Sequence, residues 1–187
     1  MHPQGGFQRQ RCAGQPCIGV CPVRACEAVK HRLHTGRIQL EQVSPQGSSI
    51  AFIGGQRNEI WVMGANGENP RKVCSSGSQP FVALAWSPMG QRIAYIKPKS
   101  VGSAYGGSIE TVALEGGAPS PVILDPKLVS DVGWGALLWV RDGRLMYALA
   151  EPGGSGSNVW DIVTDPQTGK IFGKPAKMTN WYGIDAM

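Results

Sequence analysis

An all-β fold of short four-stranded antiparallel sheets, stacked one after another, is predicted by three observations. Ser44-Pro45-Gln46-Gly47 followed by Ser48-Ser49-Ile50-Ala51-Phe52-Ile53 returns 43 residues later as Ser87-Pro88-Met89-Gly90 followed by Gln91-Arg92-Ile93-Ala94-Tyr95-Ile96. A looser third copy runs from Val140 to Leu149. With 26 Gly and 14 Pro in 187 residues, the chain is punctuated too often for long helices, and no window sustains helical periodicity. A period of roughly 40 to 50 residues built from short strands is the sequence signature of a β-propeller, one four-stranded blade per repeat. The expectation is an open β-propeller fragment of about three blades, with boundaries near 38–76, 77–129 and 130–181 and the start of a fourth repeat over 182–187.

Each element follows from local pattern. Ser49 to Ile53 is apolar on both faces, as a strand stacked between neighbouring blades must be. Asn58 to Met63 comes next, and Ala65-Asn66-Gly67-Glu68 supplies a hairpin turn in which Asn-Gly suits positive backbone angles. Pro70 to Val73 is the outer strand, where an edge tolerates proline. The second blade reads Phe81–Trp86, Arg92–Ile96, Ser108–Leu114 and Pro121–Leu124. The third reads Ala136–Val140, Arg144–Leu149, Asn158–Thr164 and, after a turn at Asp165–Gly169, Lys177–Trp181. Distance from the turn glycines Gly47, Gly90 and Gly143 makes the pairs Ile50/Phe52, Ile93/Tyr95 and Leu145/Tyr147 equivalent. Three successive sheets packed face to face follow, with an uncovered apolar face expected at each end of the stack. Trp61, Trp86, Trp139 and Trp160 fall on strands and are expected to pack between blades.

Charge divides the chain unequally. Residues 1–37 contain six of the 18 basic side chains and a single acid, Glu27, so they carry the whole formal charge of +5. The remainder balances, which argues against a phosphate-tracking surface and hence against nucleic acid as a partner of the repeats. The same segment holds all three histidines, His2, His31 and His34, and four of the five cysteines. It lacks strand alternation and turn spacing and reads as a poorly ordered extension. No apolar run approaches the roughly 18 residues a membrane helix needs, and the N-terminus has no apolar stretch like that of a signal peptide.

Two segments resemble a known repeat. Residues 58–73, NEIWVMGANGENPRKV, and 84–96, LAWSPMGQRIAYI, are similar, in that order within one period, to the repeats of TolB-type and WD-like β-propellers. The resemblance extends from about Ile38 to Trp181. Residues 156–170 and 173–181 are also similar to the repeat regions that follow the kinase or winged-helix DNA-binding domain of large bacterial signalling proteins. It implies a non-enzymatic sensor or protein-interaction module of such a protein, with a TolB-like periplasmic interaction protein as the alternative and the propeller portion of a serine peptidase third. The compartment follows the parent: periplasmic beside a membrane-anchored sensor, cytoplasmic otherwise. The chain departs from the repeat in one respect, since the aspartate usual in the Ser-Pro-Asp-Gly turn is Gln46, then Met89, and survives as Asp142. That aspartate organises its own turn, so its loss is expected to weaken the turn.

Chemistry-bearing motifs are few. Cys12, Cys17, Cys21 and Cys26, spaced C-x4-C-x3-C-x4-C, are the candidate metal ligands, with His31 and His34 nearby. Iron–sulfur loops need two-residue gaps and structural zinc needs two separated pairs, so the spacing argues for unliganded thiols. Gly153-Gly154-Ser155-Gly156-Ser157 lacks the final glycine of a nucleophile elbow, and no histidine follows residue 34, so the repeats cannot build a Ser-His-Asp triad. No motif calls for a cofactor, and the chain reads as no enzyme. Loop length points to a binding surface: the link between second and third strands is short in the first blade, Gly54–Arg57, and longer in the second, Lys97–Gly107, and third, Glu151–Ser157. Loop insertions gather on one face. Lys97, Lys99, Tyr105, Asp125 and Lys127 are therefore the expected contacts for a protein or small-molecule ligand, and further repeats are expected to be needed for closure.

Overall fold

A computed structural model describes residues 39–100, 105–129, 137–154 and 156–183. The extension before residue 38, its four cysteines and three histidines, and the segment from Ile184 lie outside the described residues. The first blade is a four-stranded antiparallel sheet in the order β1 (Gln39–Val43), β2 (Ser49–Gly54), β3 (Glu59–Gly64) and β4 (Arg71–Ser75). The second blade contains β5 (Ala83–Trp86), β6 (Arg92–Pro98), β7 (Tyr105–Ala113) and β8 (Ser120–Val129). The third contains β9 (Leu137–Trp139), β10 (Arg144–Ala150), β11 (Ser157–Thr164) and β12 (Ile171–Lys177). Innermost strands β1, β5 and β9 lie side by side in succession. The Trp86 indole joins the first two by donating to the Gln42 carbonyl at 2.8 Å.

Two buried layers hold the blades together. Between the first and second, Ala51, Ile53, Ile60 and Val62 meet Phe81, Leu84, Trp86, Ile93, Tyr95 and Val112. Phe81 and Tyr95 pack edge to face, with ring centroids 4.8 Å apart. Between the second and third, Ala94, Ile96 and Ile109 meet Leu128, Trp139, Leu145, Tyr147 and Ile162. The equivalence of the repeats is visible in which way side chains face. Ile93 and Tyr95 point to the first blade, and Leu145 and Tyr147 to the second, because each alternates with residues on the opposite face.

The third copy keeps this phase by shortening its turn. Ser44 N donates to Ser49 O and Ser87 N to Arg92 O, whereas Val140 N donates to Arg144 O, one residue sooner. Gly47, Gly90 and Gly143 all take positive φ, at 72°, 69° and 88°, as the shared turn requires. The missing aspartates are replaced by the serines before them. Ser87 Oγ accepts from the amides of Gln91 at 3.2 Å and Arg92 at 3.0 Å, and Ser44 Oγ from Ser49 at 3.1 Å. In the third copy, where Val140 cannot do this, Asp142 Oδ1 accepts from Arg144 N at 3.1 Å.

Four expectations need correction. The outer strand of the third blade is Ile171–Lys177, directly after the Asp165–Gly169 turn, and not Lys177–Trp181. Gly173, at φ 80°, and Pro175 disguise it, and both are tolerated because β12 is an edge with a bulged register. Residues 178–183 lie beyond that strand. Second, the expected three separate sheets are a four-stranded sheet and an eight-stranded one. The end of β8 runs on to pair Leu128 with Leu149 of β10, on the edge that the three-residue β9 leaves open. Third, one end face is not bare, since Ile50, Phe52 and Met63 on the first blade's outward side are 6, 0 and 5% exposed. Fourth, in the Asn66-Gly67 hairpin it is Gly67 and Asn69, not Asn66, that take positive φ.

Candidate functional site

The link between β6 and β7 and the end of β8 come together at one rim of the second blade. Lys99 N donates to Gly106 O at 2.8 Å, Tyr105 pairs with Val129, and Gly107 pairs with Asp125. Gly107 is needed here, because a Cβ would sit 2.4 Å from the Lys97 carbonyl oxygen. The five sequence-predicted contacts are thus neighbours along this rim, but four of them are not loop residues. Lys97 is on β6, Tyr105 opens β7, and Asp125 and Lys127 lie on β8, because all three strands continue past the points where their apolar alternation stops.

Strand alternation also splits the set. Lys97 shares the face of Tyr95 and Ser108, toward the first blade, where its Nζ is 2.7 Å from Glu110 Oε1. Asp125 lies on the opposite face, that of Ile123 and Ile109, and its charge contributes to raising the Tyr147 pKa, an effect dominated by burial of the phenol. Its Oδ1 accepts from Lys127 N at 2.7 Å. Lys99, Tyr105 and Lys127 remain on the surface, with Tyr105 53% exposed.

Around Glu110 lies a network that sequence reasoning missed. Glu110 accepts from Tyr95 OH at 2.9 Å and Ser108 Oγ at 2.8 Å, besides its ion pair to Lys97. Tyr95 OH in turn stands 3.8 Å from Cys74 Sγ on β4 of the first blade. Burial alone would raise the Glu110 pKa, but the bonds from Lys97, Ser108 and Tyr95 outweigh it and hold the carboxyl below the usual range. Burial pushes both the Tyr95 phenol and the Cys74 thiol up, so neither supplies an anion at neutral pH. The signal available was the alternation of Tyr95, Lys97, Ser108 and Glu110 on paired strands, which becomes readable once the register is known.

A second network closes the same rim of the third blade. Asn158, fully buried, donates through Nδ2 to Glu151 Oε1 at 2.9 Å and to Trp181 O at 3.1 Å. Its Oδ1 accepts from Thr179 Oγ1 and Trp181 N, both at 2.7 Å. Lys177 Nζ pairs with Glu151 at 2.8 Å, and that bond leads the causes that lower the Glu151 pKa. These groups tie the chain after β12 to the blade. Among the described residues no group of three or more His, Cys, Asp or Glu side chains is placed to hold a metal. Three of the tryptophans do what their strand positions suggested and one does not: Trp86 and Trp139 are buried between blades and Trp160 packs against the layer between the second and third, whereas Trp61 lies on the first blade's outward side over Phe52 and Met63.

The fold is thus that of a β-propeller, here an open arc of three blades. No protein-family model matches the sequence. A 45-residue stretch is 42% identical to the Tol-Pal system protein TolB of Albidiferax ferrireducens, covering 24% of this chain and 10% of that one. Among solved structures, a protein assigned as TolB from Agrobacterium tumefaciens superposes with a TM-score of 0.56 at 13% identity, over 77% of this chain and 47% of that one. The β-propeller domain of the Trilobed protease from Pyrococcus furiosus gives 0.54 at 12% identity, over 79% and 44%. The chain therefore spans somewhat under half the length of these propellers. The structural likenesses establish a β-propeller fold, shared by the TolB structure and the protease propeller alike.

Proposed function

We propose that the chain is a non-catalytic propeller module that binds a protein or small-molecule partner at the rim formed by the β6–β7 link and β8. The observation that carries this reading is the surface trio Lys99, Tyr105 and Lys127, cationic and aromatic, gathered at the rim where the β6–β7 link meets the end of β8. An exposed tyrosine offers a large rigid contact and a hydroxyl at low entropic cost, and lysines beside it favour an acidic partner. The described residues contain no histidine, and their best-organised serines cap turns, which supports binding over catalysis.

The partial identity to a Tol-Pal system TolB favours a TolB-like interaction protein as the parent context. Membership of a bacterial signalling protein with a kinase or winged-helix domain rests on the repeat resemblance alone. A photo-crosslinking residue at position 105 or 127 should give discrete adducts in cells, while one at Gln167, in the turn after β11, should not. Lys99→Glu with Lys127→Glu should abolish the adducts at position 105. Equal labelling at 167, or turnover of peptide or ester substrates by the purified chain, would refute the reading.

A further inference from the structure

We infer that Arg57 carries the binding rim onto the first blade and receives a carboxylate there, so that the partner is an acidic peptide segment lying across the first two blades. This rests on the reading of the rim as a binding surface and adds to it a residue outside the trio. Arg57 ends the link between β2 and β3, where its amide donates to Gly54 O at 3.1 Å. The segment leading from β4 to β5 joins it to Lys99. Phe81 N donates to Arg57 O at 2.6 Å, Arg57 Nη2 donates to Phe81 O at 3.2 Å, and Gln79 Nε2 donates to Lys99 O at 3.4 Å. One run of chain therefore fixes both cations along the same edge.

Arg57 stands in a conformation that its residue type resists. Its φ is 70°, in the left-handed region where Gly or Asn is the unstrained occupant, and such outliers gather at functional sites. The side chain is half-buried and its charge is unmatched: Nε is buried without an acceptor, and no carboxylate among the described residues lies within ion-pair distance. Carboxylates along this rim are already taken. Lys72 holds Glu59 at 3.0 Å, Lys97 holds Glu110 at 2.7 Å and Lys177 holds Glu151 at 2.8 Å, while Asp125 Oδ1 accepts from the Lys127 amide. Arg57, Lys99 and Lys127 are left without ion pairs among the described residues. A guanidinium is planar, weakly hydrated and forked to fit a carboxylate, so a half-buried one selects that group, and the two lysines suit further acidic side chains. Cations spread over two blades, with the exposed Tyr105 beside them, match an extended acidic segment better than a compact small molecule.

Two experiments on the full chain test this. A photo-crosslinking residue at Gln56, exposed beside Arg57, should capture in cells the same partner as one at position 105. Fluorescence anisotropy with a labelled, amidated peptide of alternating Ser and Glu should show binding that the matching Ser and Gln peptide lacks. Arg57→Lys keeps the charge but loses the fork and should weaken that binding at least about five-fold, and Arg57→Gly at least about ten-fold. Glycine suits the positive φ, so Arg57→Gly should keep its circular dichroism spectrum. Arg141→Gln, at an exposed arginine in the turn before β10 on the opposite rim, should leave the affinity unchanged. Adducts at 105 with none at 56 would overturn this inference and leave the rim reading intact, whereas adducts at neither position would overturn both. Failure of the Ser and Glu peptide to bind, equal binding of the Ser and Gln peptide, or an affinity indifferent to Arg57→Gly would overturn the inference alone.

Discussion

Arg92 and Arg144 open equivalent strands of successive blades and meet different surroundings. Arg92 is buried between the second and third blades, donating to Thr111 Oγ1 at 3.0 Å and Ser120 Oγ at 3.3 Å. Gly169 from the turn after β11 lies over it so closely that a Cβ there would approach Arg92 Nε to 3.0 Å. Arg144 projects from the third blade in the same direction, but no described blade follows, and its partners are the flanking Asp142 and Asp161. The repeat thus fixes where an arginine stands, while the next blade decides what it contributes. Everything on the inner side of that boundary should be sensitive to substitution and everything on the open side tolerant.

The largest contrast should come from apolar truncation. Leu145→Ala empties a fully buried position between blades and should cost about 2–5 kcal/mol. Phe172→Ala, on the open side of the same blade, should stay within about 0.5 kcal/mol. Urea midpoints of the two variants check this, and similar losses would mean that the open face is covered within one chain.

Arg92→Met and Arg144→Met come next. The first leaves the Thr111 and Ser120 oxygens without their charged donor inside a buried layer and should cost about 1–3 kcal/mol. The second removes ion pairs that solvent screens and should change stability by less than about 0.5 kcal/mol. Thermal denaturation at low and high salt separates them, since the exposed pair alone should respond to salt.

Strand positions were legible because the turn serines and glycines recur at a fixed period and the apolar alternation beside them is strong. The matched placement of Ile93 and Leu145 could be read by counting from Gly90 and Gly143, allowing for the shorter turn. Legibility failed where composition contradicts context. Gly173 and Pro175 deny a strand that an edge nevertheless accepts, and Lys97 and Asp125 look like loop residues although β6 and β8 carry them. The candidate rim was partly legible, since Lys99, Tyr105 and Lys127 gather where loop length suggested. The Glu110 network was not, because its members become neighbours through pairing register, which no single segment encodes. Exposure of Leu138, Val163 and Phe172 was legible, since an uncovered apolar face was expected at each end of the stack and these residues lie on the third blade's outward side.

Turn glycines give a smaller contrast along the same boundary. At Gly143 a Cβ would lie 2.6 Å from Thr164 O, whereas at Gly47 it would meet nothing within 4 Å. Both take positive φ, so Gly47→Ala should cost about 1 kcal/mol from backbone strain alone and Gly143→Ala about 2 kcal/mol or more. Equal losses would show that the Gly143 turn shifts freely away from β11.

The smallest effect is the pH dependence of the Glu110 network on the second blade. Glu110 has a folded-state pKa held below its unfolded value of about 4.3 by Lys97, Ser108 and Tyr95 against the opposing effect of burial. A depressed carboxyl pKa contributes stability that is present above the unfolded value and lost as pH falls through the folded one. Glu110→Gln should therefore be less stable than the parent chain at pH 7, and the gap should narrow steadily below about pH 4. Asp142 is also depressed, first by the Arg144 amide, but it is solvent-exposed, so Asp142→Asn should produce a much smaller change that salt erases. Urea titrations of the three proteins across this range would locate the acid-labile contact. A gap for Glu110→Gln that is constant with pH would mean that the carboxylate contributes packing alone and that its ion pair to Lys97 adds no stability.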